Sequence, residues 1–110
     1  MSKDIATAYV RFVQVPGGKR RPIYILQEDK ERIYFWNITT KFENKSKRIK
    51  KNYFEIQEYE YTGLKRHSWI DTNNRYSIAK DSIRIKYIGN LSNNDTQRLA
   101  DFLKRKKWIY

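Results

Sequence analysis

Apolar and polar residues alternate along most of this chain with the period of two that marks half-buried strands, and only near the end do they take a helical spacing. Tyr9, Phe12 and Val13 around Arg11 predict a strand over 5–14. A loop over 16–22 leads to a second strand, 22–27, whose Ile23, Tyr24, Ile25 and Leu26 are all apolar. The charged run 28–31 reads as a tight turn into a third strand, 32–39, that carries Ile33, Phe35 and Ile38, so the pair forms a hairpin. Residues 40–51 break the alternation and read as a long solvated loop. Extended structure resumes over 52–57, and the acidic, aromatic stretch 58–64 contains the turn signal Gly63. A strand over 65–72 follows. Asn73 and Asn74 then read as a turn before extended residues 75–78 and a last short strand, 82–88, ended by Gly89.

The C-terminal segment changes period. Ser92 with Asp95 three residues on has the form of a helix N-cap, and Leu91 sits where an apolar residue staples the helix start. Leu99, Phe102 and Leu103 follow at helical spacing. Lys104, Arg105, Lys106 and Lys107 sit where the helix dipole is negative, which places a helix over about 92–106. Trp108 and Tyr110 are expected to fold back onto the strands. Five or more short strands and one helix in 110 residues predict a mainly β fold, a small, partly open β-barrel with a C-terminal α-helix, as a single domain over 1–110.

Composition narrows the partner. Lys and Arg number 24 against 12 Asp and Glu, a formal charge of +12, which points to a polyanion. Nucleic acid comes first, an acidic protein second and an anionic membrane surface third. Nine Tyr, five Phe and three Trp among these cations suit base stacking on single-stranded nucleic acid, although β propensity alone also accounts for most of the rings. The absence of Cys excludes disulfides, thiol nucleophiles and thiolate metal sites, and a single His excludes a multi-His metal centre. No apolar run approaches membrane-spanning length, so the chain reads as cytoplasmic, with no membrane partner.

The richest stretch runs from Pro16 through Gly17, Gly18, Lys19, Arg20 and Arg21 to Pro22. Two glycines open a turn, three cations follow, and Pro22 pushes Arg21 towards an extended backbone. Cations held at the mouth of a strand suit phosphate oxygens, which Arg grips with paired hydrogen bonds. The stretch is not a P-loop, because the upstream Gly is missing and neither Ser nor Thr follows Lys19. A second basic patch holds Lys41, Lys45, Lys47, Arg48, Lys50 and Lys51 with one acid, Glu43, directly after Thr39 and Thr40. It suits tracking of a phosphate backbone.

These residues fit metal-free RNA cleavage. RNA carries its own nucleophile, the 2′-OH, so the protein must supply a cation for the charge that develops on phosphorus, with proton donors and acceptors. Arg20 or Arg21 serves as the cation, Thr39 or Thr40 holds the phosphate or relays a proton, and His67 has the ordinary pKa of an acid–base group. No cofactor and no metal is needed. Ser68 beside His67 is not a catalytic pair, since neighbours on a strand point to opposite faces. Glu58 and Glu60 read as a surface strand rather than a glycosidase pair.

The chain resembles the MazF/PemK family of toxin endoribonucleases from bacterial type II toxin–antitoxin systems. The resemblance runs through four stretches in order: 17–26, with its glycine pair and Arg21-Pro22 step into an apolar strand; Ile38-Thr39-Thr40-Lys41; 64–71; and Gly89-Asn90-Leu91-Ser92 before the helix. Where relatives often carry Asp, this chain has His67. The resemblance implies an SH3-like barrel, a homodimer, single-stranded RNA as substrate and an acidic antitoxin as partner. It also implies Arg21 and Thr39 as the catalytic pair, while His67, which departs from the family, is a further acid–base candidate on its own chemistry. Lys19, Arg20, Thr40 and the cations over 41–51 would then contact RNA. Two other functions share these features: a non-catalytic nucleic-acid-binding barrel, and a toxin that acts on a protein, as the gyrase-inhibiting relatives do.

Overall fold

The computed structural model describes residues 4–10 and 20–106. Strands β1 (Asp4–Val10), β2 (Arg21–Glu28) and β3 (Arg32–Thr39) are followed by a single helical turn, α1 (Lys47–Lys50). Then come β4 (Tyr53–Ile56), β5 (Ser68–Ala79), β6 (Ile83–Asn90) and the C-terminal helix α2 (Asn93–Arg105). All six strands form one antiparallel sheet in the order β4-β5-β3-β2-β1-β6. The predicted mainly β fold and the helix near 92–106 are both present. The predicted loop up to Lys19, the strand positions beyond Val10, and Trp108 with Tyr110 lie outside the described residues.

The β2–β3 turn is closed by Asp29, whose carboxylate accepts from the amides of Glu31 at 2.8 Å and Arg32 at 2.7 Å. An acceptor placed this way satisfies turn amides that no strand partner reaches.

Both faces of the central strands are buried. On one face Ile5, Tyr24, Trp36, Ile38, Phe54, Ile56 and Ile70 pack against Leu91, Leu99 and Leu103 of the α2 segment. The i, i+4 spacing of Leu99 and Leu103 sets both on one helix side, and burying each contributes about 1.5–3 kcal/mol. The other face carries Ala6, Ala8, Ile23, Ile25, Ile33 and Phe35, covered by Ile83, Ile85 and Ile78. The second half of β5 and the first half of β6 therefore curl over this face, joined by a 3₁₀ turn over Lys80–Ser82. Tyr87 donates to the Glu28 carboxylate, and Lys80 pairs with it at 3.2 Å, which ties that turn to the end of β2.

The curl depends on a change of register inside β5. Trp36 pairs with Arg75 but Ile38 pairs with Ile70, an irregularity that places extra residues on β5. Trp69 and Asp71 point to one face before it, and Tyr76 and Ile78 point to that same face after it, so the parity of the strand is inverted. The Asp71 carboxylate accepts from the amide of Asn73 at 3.0 Å and from the side chain of Asn74 at 3.3 Å. This corrects the expected Asn73-Asn74 turn: the local turn chemistry exists, but the sheet absorbs it as a bulge and the strand continues.

Three smaller corrections follow. Residues 40–51 are not a featureless loop: Ser46 caps α1 by accepting from the Ile49 amide at 3.3 Å, and the turn hydrogen bonds continue to Asn52. The 58–64 stretch holds a 3₁₀ turn, Tyr59–Tyr61, rather than a surface strand. Gly89 does not end β6, which runs to Asn90. Gly89 instead lets the buried Thr62 carbonyl approach the strand, while Gly63, at φ 84°, lies against the Ile88 carbonyl. A Cβ at either glycine would collide with backbone.

The start of α2 is locked to the end of β4. Ser92 accepts from the Asp95 amide at 3.0 Å, as an N-cap does, and donates to the Glu58 carboxylate at 2.6 Å. Asp95 is fully buried; it accepts from the Glu58 amide at 2.8 Å and from Arg98 at 2.7 Å. Arg98 also reaches the Glu55 carbonyl at 3.1 Å.

Candidate functional site

The barrel face that β5 and β6 cover does not end with the apolar cluster. Directly opposed residues on neighbouring strands share a face. Glu55 pairs with Trp69 and Trp69 with Thr39, so these three form a row across β4, β5 and β3. Strand β2 pairs with β3 from Ile23↔Asn37 inward, and beyond that pair Arg21 and Thr39 lie two residues further along their strands at the same end. Arg21 itself pairs with Ala8 on β1, a residue of the covered cluster. The row therefore continues the covered face out to where the barrel opens, and helix α2 occupies the opposite face.

The expected catalytic pair is thus placed by topology. Arg21 is the exposed first residue of β2 and Thr39 the half-buried last residue of β3, at the same end of adjacent strands. The Thr39 hydroxyl oxygen accepts from the Lys41 amide at 3.0 Å, which orients the side chain and leaves its O–H proton to donate. Arg20 and Thr40 are exposed beside this row, while Lys19 lies outside the described residues.

His67 stands two residues before Trp69 and so shares its face. Its Nε2 lies 2.9 Å from the Glu55 carboxylate. A carboxylate only accepts, so Nε2 carries a proton and Nδ1 is the nitrogen left to exchange one. The ring is sandwiched between Tyr59, at 5.7 Å between centroids, and Trp69, at 4.4 Å. Trp69 in turn stacks on Phe42 at 4.7 Å and 4°, and the Lys50 ammonium sits 4.8 Å from the far ring. Four rings and a cation thus form a column across the open end of the barrel. Ser68, by contrast, is buried on the opposite side, and its hydroxyl donates to the Arg66 carbonyl at 2.8 Å.

The basic patch divides. Phe42 and Lys50 tie the 41–51 segment to the site through this column, with Lys41 held at Thr39. Lys47, Arg48 and Lys51 are exposed around α1, and Lys45 is half-buried. Nothing brings these four into contact with the Arg21–Thr39 row among the described residues.

Sequence reasoning missed Glu55, Trp69, Tyr59 and Phe42. The His67-x-Trp69 spacing on a strand was a legible signal, because residues two apart share a face. The part played by Glu55, Tyr59 and Phe42 was not, since each arrives from a different element.

The chain is similar to an endoribonuclease solved in complex with its cognate antitoxin from a mycobacterial species, with a TM-score of 0.57 over 94% of this chain and 93% of that one. Sequence identity is 12%, so the likeness is one of fold. No family model matches the chain, and no curated protein matches it. Among the described residues, no helix is long and apolar enough to cross a membrane.

Proposed function

We propose that this chain is the toxin of a type II toxin–antitoxin pair, a metal-independent, sequence-specific endoribonuclease that cleaves single-stranded RNA. The observation that carries the proposal is the row at the barrel mouth: Arg21 and Thr39 at the same end of the paired strands β2 and β3, Thr39 opposite Trp69, and His67 held by Glu55 beside it. The fold shared with a toxin endoribonuclease supports it.

In this reading the RNA 2′-OH attacks the adjacent phosphorus, giving a 2′,3′-cyclic phosphate and a free 5′-OH. Arg21 neutralises the charge that develops on the phosphate oxygens, and Arg20 and Lys19 add to the local field. The Thr39 hydroxyl donates to a phosphate oxygen. His67 exchanges a proton through Nδ1, with Glu55 stabilising the imidazolium. Thr40, Lys41, Lys45, Lys47, Arg48, Lys50 and Lys51 contact the phosphate chain along the α1 side. The protein works as a homodimer in the cytoplasm, and an acidic antitoxin neutralises it by covering the same positive surface.

The test is cleavage of a long single-stranded RNA in EDTA, with mapped ends, beside Arg21→Ala and Thr39→Ala. Discrete cuts with cyclic-phosphate ends, lost in both variants while RNA retention persists, support the mechanism. Cutting abolished by EDTA defeats it. RNA retained uncut by the unaltered protein favours the non-catalytic barrel, for which the ring column is the supporting observation.

A further inference from the structure

Next to the ring column the sheet opens into a polar cleft of about 370 Å³. Its floor is the Tyr53–Asp71 pair, one alternation along from Glu55–Trp69 on the same face, about 7 Å away. Its walls are Asn73 and Asn74 from the β5 bulge, and Asn52 and Arg48 from the α1 side. Ile49, exposed over nearly half its surface, adds an apolar rim.

The hydrogen-bonding groups here are only partly used. The Asn52 side-chain oxygen accepts from Lys106, which leaves its Nδ2 to donate. Asp71 accepts from the Asn73 amide and from Asn74, and a carboxylate has capacity for more. The Asn73 side chain makes no hydrogen bond among the described residues, so its donor and its acceptor are both free. Tyr53 adds a ring whose hydroxyl is pushed upward from the ordinary phenol value, by burial first and the Asp71 charge second. Its O–H is therefore a donor at neutral pH.

We infer that this cleft takes one unpaired nucleobase of the RNA strand and reads its edge. The volume lies in the range of small-ligand sites. Closely spaced donors and acceptors beside an aromatic ring are what an unstacked base needs, and Asn and Asp side chains discriminate bases by matching those edges. Asp71 disfavours an acidic peptide here, whereas a neutral base incurs no such repulsion. Arg48, in the cleft wall, can hold the adjoining phosphate. A strand whose phosphate lies at Arg21 and Thr39 passes the ring column and brings a neighbouring base to the cleft. The inference deepens the proposed function and rests on RNA being the ligand, though not on RNA being cut.

The test is equilibrium binding of a short, randomised single-stranded RNA pool to the full chain in EDTA, with the bound fraction sequenced. Asn73→Ala and Asn73→Asp are run beside it, with melting temperatures to show that both variants fold. The unaltered protein is expected to enrich one base at one position by roughly tenfold. Asn73→Ala should flatten that position to under about threefold and leave the others unchanged, and Asn73→Asp, which replaces a donor with an acceptor, should move the preference to another base. The same enrichment in all three proteins, or none in the unaltered one, overturns the inference. RNA bound with an Asn73-dependent preference but never cut would defeat the endoribonuclease and leave the base site standing. Cut sites unchanged by Asn73→Ala would do the reverse. Binding of polyglutamate that depends on Asn73, without RNA binding, would reassign the cleft to an acidic polypeptide and so overturn it.

Discussion

The imidazole of His67 and the carboxylate of Glu55 meet at 2.9 Å, the histidine from the residue that precedes β5 and the glutamate from the middle of β4. Both side chains are over two-fifths exposed, so the contact adds little to stability, under about 1 kcal/mol. Its value lies in orientation. Glu55→Gln is expected to lower RNA cleavage roughly tenfold or more, and His67→Ala by about 10²–10⁴-fold, with urea midpoints nearly unchanged. Initial cleavage rates on one mapped site check this. Full activity in both variants would reduce the pair to surface structure.

Thr39 offers a sharper comparison. Thr39→Ser keeps the oxygen that accepts from the Lys41 amide and keeps the proton that the phosphate needs. Thr39→Val loses both. Cleavage should stay within a fewfold of normal for Ser and fall by about 10²–10³ for Val. Faster hydrogen exchange at the Lys41 amide in Val alone would confirm that the cap was lost with the activity.

Asp95 tests the lock between α2 and the sheet. Asp95→Ala strands the Glu58 amide and frees Arg98 in a region with no surface exposure at position 95. The expected loss is about 2–3 kcal/mol in urea unfolding. Asp95→Asn should fall between, because its one side-chain oxygen can still accept from the Glu58 amide.

Gly63→Ala and Gly89→Ala should each cost more than about 2 kcal/mol. The first combines a left-handed backbone with a collision against the Ile88 carbonyl, and the second drives a methyl into the Thr62 carbonyl. Thermal unfolding of each variant against the parent measures it. A loss under about 0.5 kcal/mol at Gly89 would mean that the 62–63 loop shifts freely.

The Tyr87–Glu28 contact shapes the pH profile at both extremes. Its hydrogen bond to Glu28, then burial, push the Tyr87 phenol up to about 12. A raised value means the contribution is whole below the unfolded phenol value near 10 and is lost as pH climbs towards 12. Glu28 is held below its ordinary range, first by the Tyr87 hydrogen bond and then by that of Lys80. Its contribution is whole above the unfolded carboxylate value and is lost as pH falls through the folded one. Tyr87→Phe should therefore narrow its stability gap from the parent at both high and low pH and show the full gap in between. Urea midpoints across pH measure this, and a pH-independent gap would contradict it.

Elements whose signals are local can be read from the chain alone. The continuous apolar run 23–26 and the apolar positions Ile33, Phe35 and Ile38 give β2 and β3, with Asp29 closing the turn between them. The Ser92 cap and the Leu99–Leu103 spacing give α2. Arg21 and Thr39 fall at the ends of β2 and β3, beside the Pro, Gly and polar residues that mark strand ends in one dimension. The remaining features arise from contacts across the fold. The parity inversion in β5 depends on which strand Trp36 and Ile38 meet, and a single strand contains no such information. The ring column brings Phe42 and Tyr59 from separate elements onto the His67–Trp69 stretch, and the cleft at Asn73 exists because a bulge and α1 face each other across β4. Contacts between residues far apart in the chain are set by sheet order and register, and these follow from the collective burial of both faces of β1, β2 and β3 rather than from any local pattern.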